Sequence, residues 1–188
     1  PHKLQLATIG LWTGAEVVDV GSLEDVDQRL DLWTGIIDSR FRLAGAGYRV
    51  RTAAHPERDA VAFEVAGPIG EPVGVRLRFP YGSDAWANAS DWTRPEAHTT
   101  LVEAVSGGWR IARRLDESSY TVMVYGDGLE PVRLSEPDLV IAGVGEARVV
   151  VEFSQGGTVP GALDSSAVLT ASARGWAEFW TLGASVDL

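Results

Sequence analysis

The chain contains no cysteine, which excludes disulfide staples and thiolate metal sites but leaves the compartment unassigned. No apolar run approaches the roughly 20 residues a helix needs to span a bilayer. No basic, apolar, small-residue leader opens the sequence. Pro1 stands where an initiator methionine would, so the chain reads as an excised piece of a longer protein. Histidine is scarce: His2, His55 and His98 show no His-x-x-x-His or Glu-x-x-His spacing, and a metal site is not expected. A Gly-x-Ser-x-Gly elbow is lacking too, so serine-based hydrolysis has no support. Gly143-Val144-Gly145-Glu146-Ala147-Arg148 only half matches a phosphate-cradling loop and leads into a strand pattern rather than a helix. No cofactor is expected.

Positive charge is in deficit. The formal net charge is −10 and the pI is near 4.7. Such a surface repels phosphate backbones and anionic lipid heads, so neither nucleic acid nor membrane is an expected partner. Neutral ligands or other protein surfaces fit better.

What is present is a strand-forming chain. Its 188 residues, 45% hydrophobic and 22% charged, suffice for one large domain with a real core. Apolar residues recur at period two. Leu4, Leu6 and Thr8 alternate with polar or small neighbours and run on through Trp12. Glu16 to Val20 reads as a short strand, and Glu24 to Leu30 as a strand or a helical turn. Thr34-Gly35 marks a turn or bulge. Arg40-Phe41-Arg42-Leu43 and Tyr48-Arg49-Val50-Arg51, split by Gly45-Ala46-Gly47, predict a hairpin with one wet face. Further strands are expected at 60–65, 73–79, 99–105, 109–115, 119–125, 132–134, 139–142 and 147–153. Roughly a dozen strands spaced 8–12 residues apart, with no internal repeat, predict a large antiparallel β-sandwich.

One helix is expected near the end. Asp164 is a fitting N-cap, Gly183 a fitting stop, and Leu169, Ala173, Trp176, Phe179 and Trp180 recur at helical spacing. We therefore divide the chain into a sandwich at 1–160 and a helix with linker at 161–188. Leaving three large rings wet would forfeit roughly 1.5–3 kcal/mol each, so Trp176, Phe179 and Trp180 are assigned to an interface or core. Trp12, Trp33 and Trp109 lie in strand patterns and are assigned to the core.

Chemistry is harder to place. The 26 acidic residues guarantee chance pairs, and a glycosidase needs two at a defined separation. None stands in a telling motif. The long connection from Phe79 to Thr100 is different, because unstructured loops beyond about 12–15 residues are uncommon and often functional. It carries Tyr81, Trp86 and Trp92 among Asp84, Asp91, Arg94, Glu96 and His98. Rings beside hydroxyl-bonding groups are what a sugar site uses, and Trp86, Asp91, Trp92 and His98 are the candidate sugar contacts. The plainer reading is that the same rings pin the loop to the sandwich or bury against another domain.

Several short segments in order resemble the N-terminal domain of glycoside hydrolase family 65 and related six-hairpin glycosidases. They are Pro1-His2-Lys3-Leu4-Gln5-Leu6 with Ile9-Gly10-Leu11, Leu30-Asp31-Leu32-Trp33-Thr34-Gly35, His55-Pro56 with Asp59, Phe79-Pro80-Tyr81, Asp91-Trp92 and His98-Thr99-Thr100. Trp176-Ala177-Glu178-Phe179-Trp180 and Val186-Asp187-Leu188 look like the segment leading into the catalytic domain. The resemblance implies a β-supersandwich of the galactose-mutarotase type beside an (α/α)₆ barrel that holds the catalytic residues. No dozen-helix pattern occurs here, so no catalytic residue is carried over. The resemblance further implies an α-linked oligosaccharide as substrate of the parent enzyme, by hydrolysis or phosphorolysis, with homodimerisation as an additional role. A free-standing carbohydrate-binding module and a purely structural domain remain the alternatives.

Overall fold

The structure, a computed structural model, describes residues 4–14, 18–85, 89–126, 129–135, 137–155 and 161–184. In chain order the strands are β1 (Thr8–Trp12), β2 (Leu23–Asp31), β3 (Ile36–Leu43), β4 (Ala46–Ala54), β5 (Ala60–Ala66), β6 (Pro72–Arg78), β7 (Tyr81–Gly82), β8 (Ser90–Asp91), β9 (His98–Val105), β10 (Gly108–Leu115), β11 (Ser118–Tyr125), β12 (Glu130–Ser135), β13 (Asp138–Val144) and β14 (Glu146–Ser154); helix α1 (Ser165–Phe179) follows. A four-stranded sheet, β1-β6-β13-β12, faces an eight-stranded sheet, β2-β3-β4-β5-β14-β11-β10-β9. Every pairing within them is antiparallel. The architecture is a two-layer antiparallel β-sandwich with one helix laid on it.

Alternation builds the core between the layers. Val73, Val75 and Leu77 of β6 and Leu139 and Ile141 of β13 meet Ile111, Val122, Val124, Val149 and Val151 of the larger sheet, all buried. The central strands β5, β14 and β11 are covered on both faces. Ala62, Met123, Tyr125 and Val150 point away from that core and pack under Val168 and Leu169 of α1. This explains why Val149-Val150-Val151 and Val122-Met123-Val124-Tyr125 are continuous apolar runs rather than alternating ones.

Helix α1 starts where Asp164 accepts the Ala167 amide at 2.8 Å. Its buried stripe is Ser165, Val168, Leu169 and Ser172, so the N-terminal half makes the sheet contact. A π-type turn over Trp180–Ala184, with Gly183 at φ 142°, ends it. The approach to the helix is stapled as well. Arg58 donates to both Glu152 oxygens at 2.7 and 2.6 Å and to the Gly161 carbonyl at 3.1 Å. Tyr125 donates to the same carboxylate at 3.1 Å; burial, then the Glu152 charge, push its phenol up to about 12.

One open alternative is resolved and three local expectations are corrected. Residues 24–30 belong to β2, a strand. The β3–β4 turn is Ala44-Gly45, at φ 50° and 79°, so Ala46 and Gly47 enter β4; two successive positive φ values give the turn a twist that matches the strands. Residues 18–20 include no strand, Val20–Ser22 being a 3-10 turn, and Glu16 lies outside the described residues. The opening strand begins at Thr8 rather than Leu4.

Candidate functional site

Two regions draw together the residues singled out above. The first is the connection between β6 and β9. It has structure of its own: β7 and β8 pair as a small ribbon, Tyr81 opposite Asp91 and Gly82 opposite Ser90, and Pro95–Ala97 form a 3-10 turn. Its root is a buried cation. Along β10, Ile111, Arg113 and Leu115 all face the core, and Arg113 is 1% exposed. The guanidinium donates to the Thr99 carbonyl at 3.1 Å and to the Thr100 hydroxyl, sits 3.0 Å from His98 Nδ1, and lies 4.8 Å above the Phe79 ring. Arginine has no acceptor, so His98 Nδ1 must accept, and its ring is neutral with the proton on Nε2.

His98, 4% exposed, is therefore part of the loop's foundation. Tyr81 stacks near-parallel to it at 6.2 Å, and its hydroxyl donates to Asp116, which raises the phenol's pKa. Asp91 accepts the Thr93 amide at 2.8 Å, the Thr93 hydroxyl at 2.7 Å and Arg94 Nε at 2.7 Å. The Thr93 bonds, then Arg94, hold its carboxyl at about 2, below the usual 3.8. A depressed carboxyl contributes stability that is present above pH 3.8 and lost as pH falls through 2. The Thr93 amide resonance is accordingly expected to titrate with a midpoint near 2; a midpoint near 3.8 would show that these bonds do not persist in solution.

Arg94 lies 4.4 Å over the Tyr81 ring and Arg78 4.3 Å over Trp92. Trp92 remains 38% exposed. Of the four candidate sugar contacts, then, Asp91 and His98 shape the loop, Trp92 stays partly open, and Trp86 lies outside the described residues. Arg78, Arg94 and Arg113 were missed. The signal for Arg113 was there: a charge at an inward position between Ile111 and Leu115.

The second region is an aromatic ridge. Asp31 accepts the Trp33 amide at 2.9 Å through its side chain, and its carbonyl accepts the Gly35 amide at 2.7 Å. This β2–β3 turn swings Trp33 outward, 58% exposed, and corrects its assignment to the core. Trp12 and Trp109 are half-buried, and Trp109 packs against the core. Trp33 meets Trp180 at 6.4 Å, and the Trp180 indole donates to the Leu32 carbonyl at 2.6 Å. Trp176 and Phe179 complete the group, 6.1 and 5.2 Å from Trp180, and are 42% and 53% exposed. Ser172 donates to the Thr34 carbonyl at 2.8 Å, fixing the turn to the helix. Among the described residues, no group of three His, Asp or Glu side chains is placed to hold a metal ion.

The fold has a solved counterpart. A structure named "Putative kojibiose phosphorylase from human microbiome" superposes with a TM-score of 0.59 over 95% of this chain, at 9% identity. The likeness is one of fold. This chain spans 28% of that chain's length. No family model and no curated protein matches the sequence.

Proposed function

We propose that this chain is a non-catalytic β-sandwich domain of a larger carbohydrate-active enzyme, a glycoside hydrolase or phosphorylase acting on α-linked oligosaccharides. Its work is to brace a helical (α/α)₆ catalytic domain of the same polypeptide. The observation that carries this reading is the ridge of Trp33, Trp176 and Phe179, held rigid by hydrogen bonds yet left open to solvent. Contiguous exposed aromatic surface marks an interaction site, and on a helix end and a hairpin tip it suits a helical neighbour. The shared fold with one portion of a longer phosphorylase-named chain and the ordered motif resemblance point the same way. In this reading the loop between β6 and β9 lends Trp92 to the rim of the active site, with Asp91 and His98 holding its shape; Trp86 lies in the same loop.

Hydroxyl-radical footprinting tests the ridge. Trp33, Trp176 and Phe179 are expected to oxidise readily in the isolated chain and to be protected in the longer polypeptide. Equal oxidation in both would remove the interdomain role. Protection in the isolated chain that grows with concentration would assign the ridge to a homodimer instead.

A further inference from the structure

Beside the β6–β9 loop lies a cavity of about 520 Å³, floored by Leu4 and Leu115 and walled by Tyr81, Ser83, Asp84, Arg94, Asp116 and Ser118. Its volume falls within the ordinary range for small-molecule sites. The walls come from elements already fixed: the β7–β8 ribbon on one side and the two-residue β10–β11 turn on the other, joined by the Tyr81–Asp116 hydrogen bond. Asp116 sits at φ 49°, a left-handed position that aspartate tolerates better than most residues.

The polar groups keep valences to spare. Arg94 spends Nε on Asp91, and its two Nη groups make no hydrogen bond with the described residues. Asp116 receives the Tyr81 hydroxyl on Oδ2, leaving Oδ1 without a partner among them. Asp84 is exposed and forms no ion pair with them.

This combination selects by charge. The cleft sets Asp84 and Asp116 against one guanidinium that already pairs with Asp91, so its charge disfavours an anion. A neutral ligand bearing several hydroxyls satisfies both kinds of group, donating to the carboxylates and accepting from the guanidinium. The two leucines offer apolar contact for its C–H faces. Tyr81, already engaged by Arg94 and His98, contributes its rim rather than a stacking face. We infer that this cleft binds a neutral oligosaccharide, and that the contacts are Ser83, Asp84, Arg94, Asp116 and Ser118 rather than the tryptophans of the loop. The inference stands on the cleft of this chain and needs no catalytic neighbour, so its outcome and that of the ridge footprint are independent.

The test is an NMR titration of the isotopically labelled chain with maltose, with cellobiose, and with glucose 1-phosphate as an anionic control. A neutral disaccharide is expected to move the Ser83, Asp84, Asp116 and Ser118 amide signals saturably, and glucose 1-phosphate to bind at least about tenfold more weakly, a difference of about 1.4 kcal/mol. Asp84→Ala is expected to weaken disaccharide binding by a similar factor with no change in melting temperature, since that side chain holds nothing else in place. Asp116→Asn, which keeps an acceptor for Tyr81, serves as the second variant. The inference is overturned if neither disaccharide gives a saturable shift, if the shifts fall elsewhere, if both variants bind as the native chain does, or if the phosphate ester binds equally well.

Discussion

Replacing Gly35 with alanine is expected to destabilise the fold by about 2–5 kcal/mol, read as a lower urea midpoint at unchanged slope. Two costs combine. Gly35 has φ 66°, and a Cβ there would lie 2.1 Å from the Trp176 indole nitrogen and 2.9 Å from Ser172 Oγ. The left-handed backbone costs an L-residue about 1–2 kcal/mol, and forcing atoms into a packed contact typically adds 1–3 kcal/mol. The two separate experimentally. In a Trp176→Ala background much of the steric part is expected to vanish while the conformational part remains, so the double-mutant coupling should exceed about 1 kcal/mol. Additive effects would mean that the hairpin tip and the helix end do not touch in solution.

Arg113→Ala is expected to cost about 3–4 kcal/mol, with the loop between β6 and β9 loosened. The deletion strips charge-assisted bonds from Thr99, Thr100 and His98 and removes the cation from above Phe79. His98 and Thr100 are buried while Thr99 is exposed, and a buried acceptor that loses its donor carries a desolvation penalty of about 1–3 kcal/mol. Arg113→Met, which refills the volume, should recover part of the loss by restoring packing alone. Thermal melts of both variants, with amide exchange at Thr93 as a loop readout, check this. If Arg113→Ala melts like the native chain, the guanidinium is not the root of the loop.

Most strands were legible because turns and alternation agree. In β6, Val73, Val75 and Leu77 face inward while Arg76 and Arg78 do not, and the period alone shows it. Trp33 was misread for a reason that sequence hides: it follows a strand pattern, but the Asp31 turn reverses the chain before it can face the core. The helix was found with its cap and with Leu169 on its apolar side, yet the rest of its sheet-facing stripe lay in the weaker signal of Ser165, Val168 and Ser172, because small residues fit close against a sheet. The aromatic end, which looked like the packing face, is half wet. The sugar-site candidates show the same limit. Asp91 and His98 belong to the expected loop, but whether a polar group faces a ligand or ties its own backbone depends on partners distant in sequence, such as Arg113 and Asp116. Asp84 and Arg94, at the mouth of the cleft, were visible only as loop charges.

The central claim is that these sheets support an active centre which they do not themselves contain. Incubating the purified chain with α-linked glucose disaccharides, with and without inorganic phosphate, tests it directly. No glucose and no sugar phosphate above the uncatalysed background are expected. Release of either, at a rate proportional to chain concentration and lost in Asp84→Ala or Asp116→Asn, would contradict it.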